Sequence, residues 1–449
     1  MNLQHLFFAF SLFIIQISFG VSQSYPETQT ITGLPSQNQS IYTGWIVGDT
    51  PSGSLYYYNL YTKDATDLNS TDTPLIIYLK GRPGSPATMS AFMEVGPYLA
   101  ILADESWQNF SVRPNPNSWT KDYHLLMIDN PLGTGFSILQ NNYSINSTEQ
   151  TVDNLITFLT RFFELYPSVV NMPIYLYGRS YGAKWASTLA YKWLQTEGLQ
   201  EVPLAGLILA HGIVDPLLQL TYSESAFSFG VIDWKQKQVL EEQESRIAGF
   251  LKNNDLVNAT KAWDWIRDYV QSPNVTGGMW VYNYVTYFDP AYGLPLEYLG
   301  IVYAYMLLSS PNFLYQTTFQ IPEALNYSLA SDLVSVPLLQ TGDFANSTKY
   351  ALEYVLDQGL DTLTFAGQFD PVINYVGIMN YVQALDWHGK EPLPESTKKF
   401  LTVNNSVAGS YHKQDNLVVA VVNKAGHYGT YDQPATIAVL LRCFIHDSL

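Results

Sequence analysis

The chain has 449 residues, with 22 Lys and Arg against 39 Asp and Glu, giving a net charge of −17. Apolar residues make up 47% and charged residues 14%, so a large core can form and the composition argues against intrinsic disorder. So few cations cannot assemble a basic patch for nucleic acid, and the single Cys rules out intrachain disulfides and multi-thiolate metal centres.

In chain order, the first signal is Leu6–Ile15, almost wholly apolar but too short to span a bilayer. Ser18 and Gly20 follow with the small-x-small spacing of a cleavage site. Residues 1–20 therefore read as a signal peptide, although no Lys or Arg precedes the apolar run. No later stretch reaches the ~18 apolar residues that a transmembrane helix needs. Asn-x-Ser/Thr acceptor sequences stand at Asn38, Asn69, Asn109, Asn142, Asn146, Asn258, Asn274, Asn326, Asn346 and Asn404, more than the about four that chance gives. Both features point to the secretory pathway, with an extracellular or a lysosomal or vacuolar destination. Cys443 lies in the apolar run Leu440–Ile445 and is expected to be a buried, inert thiol.

Residues 21–41 are polar and read as extended. Apolar runs then predict strands at Leu55–Thr62, Pro74–Leu79, His124–Asp129, Ile174–Tyr177, Leu204–Ala210, Thr362–Ala366 and Leu417–Val422. Thr148–Tyr166 predicts a helix, with Val152, Leu155, Ile156, Leu159, Phe162 and Phe163 on one face. Tyr181–Thr196 and Ala435–His446 read the same way, the second entered through Pro434. Alternation of strand and helix predicts an α/β fold with a mostly parallel sheet covered on both faces. The rhythm breaks at two charged helices, Trp234–Lys252 and Asp255–Tyr269, followed by an aromatic segment with Pro and Gly. The expected division is a core over 21–216, a mainly helical inserted cap over 217–335, and the rest of the core over 336–449.

The sharpest chemical signal is Gly178-Arg179-Ser180-Tyr181-Gly182, a Gly-x-Ser-x-Gly between an apolar strand and a helix. That context is the nucleophile elbow, in which the Ser hydroxyl stands clear at the carboxyl end of the sheet. A Ser nucleophile needs a base and a group that orients the base, in the chain order Ser, Asp, His on such a sheet. Asp370 and His427 each follow an apolar strand through a short loop. Of the seven His, His427 alone lies in a Gly-flanked loop after a strand. His124 and His211 adjoin apolar strands and read as packing residues; His388 and His412 look exposed. No metal-spaced His motif and no Gly-rich phosphate loop is present, so neither a metal nor another cofactor is expected.

These residues and several flanking segments resemble the serine carboxypeptidase family. Ile41–Trp45 with Leu55–Tyr58 is similar to its opening strands, and Leu79-Lys80-Gly81-Arg82-Pro83-Gly84-Ser85 to its Leu-Asn-Gly-Gly-Pro-Gly-Cys segment. Glu94–Pro97, Ser118-Trp119, Asp129–Ser137, Ala210–Pro216, Asp370, Ala425–His427 and Tyr431–Pro434 match further stretches in order. The resemblance implies an α/β-hydrolase fold with an inserted cap. It implies Ser180, His427 and Asp370 as nucleophile, base and orienting acid, and an oxyanion hole from the backbone N–H groups of Arg82 and Tyr181. The substrate's terminal carboxylate would be held at Lys80, Gly81, Glu94 and Arg179.

Three of those positions depart from the family. Arg82 stands for a Gly and precedes Pro83, which is expected to confine it to extended geometry. Lys80 stands for an Asn and Arg179 for one of two proton-sharing Glu. Family members need protonated carboxyls to accept an anionic terminus, which favours acid pH. Lys80 and Arg179 would bind the carboxylate directly at neutral pH, or else Arg179 would pair with Glu94 and fill the pocket.

The leading expectation is a serine-type carboxypeptidase that hydrolyses the C-terminal peptide bond of peptides with a free C-terminus. The alternatives are a catalytically weak carboxypeptidase-like binding glycoprotein, and an acyltransferase or lyase using the same three residues.

Overall fold

Thirteen strands form among the described residues: β1 Gln29–Thr30, β2 Ile41–Asp49, β3 Ser54–Tyr61, β4 Leu75–Leu79, β5 Tyr98–Leu102, β6 Phe110–Pro114, β7 His124–Ile128, β8 Ile174–Arg179, β9 Leu204–Ala210, β10 Thr362–Gly367, β11 Lys399–Val403, β12 Ser406–Gln414 and β13 Leu417–Val422. The structure is a computed structural model describing residues 27–30, 34, 39–103, 110–289, 294–309, 327, 331–390, 397–447 and 449. The expected signal peptide and the acceptor residues Asn38, Asn109 and Asn326 lie outside these.

Eleven strands make one sheet in the order β1-β2-β3-β7-β4-β8-β9-β10-β13-β12-β11. The six central strands, β7 to β13, run parallel, and antiparallel strands extend the sheet at both ends. Strands β4, β7, β8 and β10 are buried along their whole length, as covering on both faces requires. Alternate residues of β8 serve the two faces. Ile174 and Leu176 pack with the helices Thr148–Leu165 and Gly182–Trp193, while Tyr175 and Tyr177 pack toward Ala87–Met93 and Pro434–Ile445.

Parallel strands all deliver their carboxyl ends to the same edge, and here that edge gathers the chemistry. Asp129 follows β7, Lys80 follows β4, Ser180 follows β8 and His211 follows β9 with no residue between. Asp370 and His427 come three and five residues after the ends of β10 and β13.

Between β9 and β10 the chain builds a separate apolar cluster. Tyr222, Leu240, Ile247, Trp263, Ile266, Met279 and Tyr284 pack together across the helices Tyr222–Ser228, Trp234–Lys252 and Leu256–Gln271. Asp233 caps the second of these with a reciprocal Gln236 contact. Helices therefore dominate the described residues between β9 and β10, and an inserted cap over 217–335 remains a proposal.

Predicted strands at Leu204–Ala210 and Leu417–Val422, and the helix at Trp234–Lys252, have the expected bounds. Strands β11 and β12 gave no sequence signal. β11 is the polar edge strand and β12 its neighbour, and only scattered residues such as Leu401 and Tyr411 are buried in them. Cys443 is half-buried rather than buried, because its helix presents Leu440 and Leu441 to the core instead. His388 is exposed as expected, and His412 is half-buried.

Candidate active site

The strand-to-helix turn after β8 places Ser180 at φ 57, in the left-handed region that residues with a Cβ rarely occupy. Its N–H is fixed on the Ala210 carbonyl at 2.9 Å. Strain of this kind costs on the order of 1–3 kcal/mol and holds only where the surroundings enforce it. Enforcement is visible in the glycines. A Cβ on Gly182 would lie 2.3 Å from the Leu79 carbonyl oxygen, and one on Gly81 would lie 2.5 Å from the Tyr181 nitrogen. The loop after β4 and the turn after β8 therefore touch backbone to backbone.

Ser180 Oγ lies 3.0 Å from His427 Nε2, and His427 Nδ1 lies 2.9 Å from Asp370 Oδ2. All three residues expected to form the relay are brought together. Asp370 Oδ1 accepts from the N–H groups of Val372 and Ile373 at 2.9 and 3.0 Å. Burial would push the Asp370 carboxyl up, but the His427 charge and hydrogen bonds from His211 and His427 hold it below the usual carboxylate range. His427 is seated by the cap: its N–H donates to the Tyr282 carbonyl at 2.7 Å, and the Tyr282 ring stacks on the imidazole at 5.7 Å.

Arg82 corrects one expectation. Its φ is 92, not extended, although Pro83 follows it. The tight approach of the loop to the elbow overrides the steric preference of a residue before proline. Among the described residues, neither the Arg82 nor the Tyr181 backbone N–H donates to the protein. The Arg82 side chain is exposed.

The expected carboxylate pocket splits into two parts. Arg179 Nη1 pairs with Glu94 Oε1 at 2.7 Å, and both side chains are buried. Arg179 Nη2 donates to the His427 carbonyl at 2.9 Å, and the guanidinium lies 4.3 Å from the Tyr428 ring centre. Ser90 Oγ and Thr430 Oγ1 also donate to Glu94. Burial alone would lower the Arg179 pKa, but the adjacent Glu94 charge more than offsets it and the guanidinium stays firmly charged. Arg179 is thus committed to Glu94. Lys80 is different: it is 5% exposed, and among the described residues its Nζ has no hydrogen-bond or ion-pair partner. Burial lowers its pKa from 10.5 to about 8, opposed by Glu94 and assisted by Arg179.

His211 was read from sequence as a packing residue, and the structure places it in the site. Its Nδ1 lies 2.9 Å from Asp370 Oδ2, the same oxygen that His427 uses. The signal was its position directly after a buried parallel strand, the placement that also marks Ser180. Tyr282 and Thr430 carried no such mark, because the cap and the loop after His427 supply them through tertiary contact. Ligand atoms of His211, Asp370 and His427 all lie within 4.8 Å of one another. Both Nδ1 atoms converge on one oxygen, so these groups are engaged with each other rather than arranged around an ion.

Among the described residues, no helix is long and apolar enough to cross a membrane. The serine carboxypeptidase family matches residues 31–447. A probable serine carboxypeptidase CPVL of Dictyostelium discoideum is 30% identical over 421 residues, covering 90% of this chain and 78% of that protein. A venom serine carboxypeptidase of Apis mellifera is 28% identical over 389 residues, covering 83% and 78%. The fold is similar to the crystal structure of Kex1(delta)p, a prohormone-processing carboxypeptidase from Saccharomyces cerevisiae. The TM-score is 0.76, with 19% identity and 92% of each chain covered. The chain belongs to the serine carboxypeptidase family of α/β hydrolases.

Proposed function

We propose that this protein removes the C-terminal residue of peptides with a free carboxylate, using Ser180, His427 and Asp370. The observation that carries the reading is the hydrogen-bonded chain from Ser180 Oγ through His427 to Asp370, at 3.0 and 2.9 Å, with the buried Lys80, unpaired among the described residues, on the same sheet edge.

Ser180 Oγ attacks the carbonyl carbon of the last peptide bond while His427 Nε2 takes its proton. Asp370 stabilises the imidazolium that forms and keeps the ring oriented. Negative charge on the carbonyl oxygen falls to the N–H groups of Tyr181 and Arg82, which have no competing acceptor among the described residues. The imidazolium then protonates the leaving amine, and water releases the acyl group by the same path in reverse.

Lys80 Nζ and the Gly81 N–H hold the terminal carboxylate in this scheme. The Arg179–Glu94 pair carries no net charge and acts as a wall, so Lys80 supplies the attraction. His427 must be neutral to accept a proton and Lys80 must be charged to bind the anion. Activity therefore rises from acid toward neutrality and falls as Lys80 deprotonates near pH 8.

The test is release of the last residue from blocked dipeptides, with a free or an amidated C-terminus, beside fluorophosphonate labelling of Ser180. Labelling without release would point to an acyltransferase or lyase, and no labelling to a binding protein.

We also place the chain in the secretory pathway, through residues 1–20. Asn69, Asn142, Asn146, Asn258, Asn274 and Asn404 are exposed. Asn346 is half-buried and its Thr348 is buried, so it is the least favoured glycan site of the seven that lie in described positions. The mass lost on enzymatic deglycosylation of secreted protein measures the number in use.

A further inference from the structure

Asp370 Oδ2 accepts two imidazole N–H groups where a Ser-His-Asp relay needs one. We propose that His211 is a positioning residue for the reaction: a neutral second imidazole that shares the Asp370 oxygen with His427 and extends activity toward acid pH. The inference rests on the relay assigned above.

Packing dictates the protonation state of His211. The residue is 1% exposed and sits directly after β9 at φ 50, with its N–H on the Phe365 carbonyl at 2.7 Å. A carboxylate faces its Nδ1, so Nδ1 carries the proton. Among the described residues its Nε2 is buried without a partner. It faces the backbone of Gly429, where even a Cβ would stand only 2.5 Å away. A proton on Nε2 would be a buried donor with no acceptor, which costs far more than a lone pair left unused. Burial, His427 and Arg179 all disfavour a cation at this ring, and only Asp370 favours one. The Gly367 N–H also approaches Nδ1, at 3.3 Å, but the carboxylate oxygen at 2.9 Å is the nearer and charged partner, so His211 donates at Nδ1 to Asp370.

That donor changes what Asp370 offers. With Val372 and Ile373 N–H on Oδ1, the carboxylate is held by four N–H groups and cannot rotate. Electron density drawn by His211 from Oδ2 is not available to an imidazolium on His427. A proton arriving on His427 during the reaction is therefore supported less than it would be by a carboxylate serving one ring. The other groups facing the pair are Ser180, the Tyr282 and Tyr428 rings, and Arg179 with its partner Glu94. Asp432 holds the Gly426 N–H next in the chain. None of these contacts is made by the His211 side chain.

The test compares the pH dependence of kcat/KM for wild type, His211→Phe and His211→Asn. Phe keeps a ring and removes the donor; Asn keeps a donor. The acid limb of His211→Phe should move up by about half to one pH unit, while His211→Asn stays near wild type. A residue that only packs would lower the thermal midpoint and kcat without moving the limb, so an unmoved limb, or one moved toward acid, overturns the role. If His211→Phe does not fold, histidine-labelled wild type decides. NMR should find one imidazole protonated at Nδ1 that stays neutral through the folded range, and a His211 that titrates to the cation overturns the inference. Failure of wild-type Ser180 to label would overturn the relay and this role together. Normal labelling with an unmoved limb would overturn this role alone.

Discussion

Asp370 and Glu94 are both buried carboxylates at the same edge of the sheet, and they are satisfied in opposite ways. Asp370 is met by N–H donors alone, two from backbone and two from imidazoles. Among the described residues no Lys or Arg pairs with it, so no fixed cation cancels its charge. Glu94 is met by a guanidinium at 2.7 Å and by two hydroxyls. Its charge is already cancelled by a fixed cation. The contrast teaches that a buried acid takes its role from its partners: neutral donors leave the charge usable, and a fixed cation uses it up. It is also why the proposed function assigns the substrate carboxylate to Lys80 rather than to Arg179.

The largest expected effect tests the first half of the comparison. Ser180→Ala should reduce turnover by on the order of 10⁴–10⁶ while leaving the fold intact, because members of a relay act as a unit. Asp370→Asn should cost about 10⁴ by presenting the wrong hydrogen-bond pattern to His427. Steady-state kinetics on purified, folded variants check both, and retention of most activity in either breaks the assignment.

Glu94→Gln addresses the second half. It leaves the Arg179 guanidinium buried without its partner, and breaking a buried pair costs about 3–5 kcal/mol. Chemical denaturation should register that loss in stability. A variant as stable as wild type would mean the pair is not the structural element described here.

Lys80 should reveal a conflict between binding and stability. Its pKa falls from 10.5 to about 8 on folding, so a buried charge is being tolerated. The unfolded chain binds the proton more tightly, and stability rises as pH climbs from about 8 to 10.5. The full cost, of order 3 kcal/mol, is present below that window. Lys80→Met should therefore stabilise the protein near neutrality, by an amount that disappears in alkali. The same variant should raise KM roughly 10-fold to 100-fold, the loss of one charge-assisted hydrogen bond, and should no longer distinguish free from amidated C-termini. A less stable Lys80→Met that still discriminates would show that the carboxylate is held elsewhere.

The smallest effect concerns Cys443, the one thiol in the chain. Reducing agent should leave the thermal midpoint of the monomer unchanged, as scanning calorimetry can verify. A drop would reveal an intermolecular bridge.

Much of this was legible in the residue pattern. Strands buried on both faces need unbroken apolar runs, so Leu204–Ala210 and Leu417–Val422 could be bounded from sequence. Gly178 and Gly182 around Ser180 mark the elbow, because only residues without a Cβ allow that approach. Short loops after apolar strands, in the chain order Ser, Asp, His, then marked Asp370 and His427.

Tertiary structure alone decided the rest. Whether Arg179 faces a substrate or Glu94, 85 positions earlier in the chain, depends on the fold bringing the end of β8 beside the end of the helix Ala87–Met93. Whether Arg82 adopts an extended or a left-handed backbone depends on how closely that loop meets the elbow. Whether His211 packs or donates depends on the distance to Asp370, 159 residues away. Local sequence specifies the period of burial and the turns, because those are short-range steric and solvation effects. Partners of buried charges are set by the approach of segments far apart in the chain, and no local pattern encodes that distance.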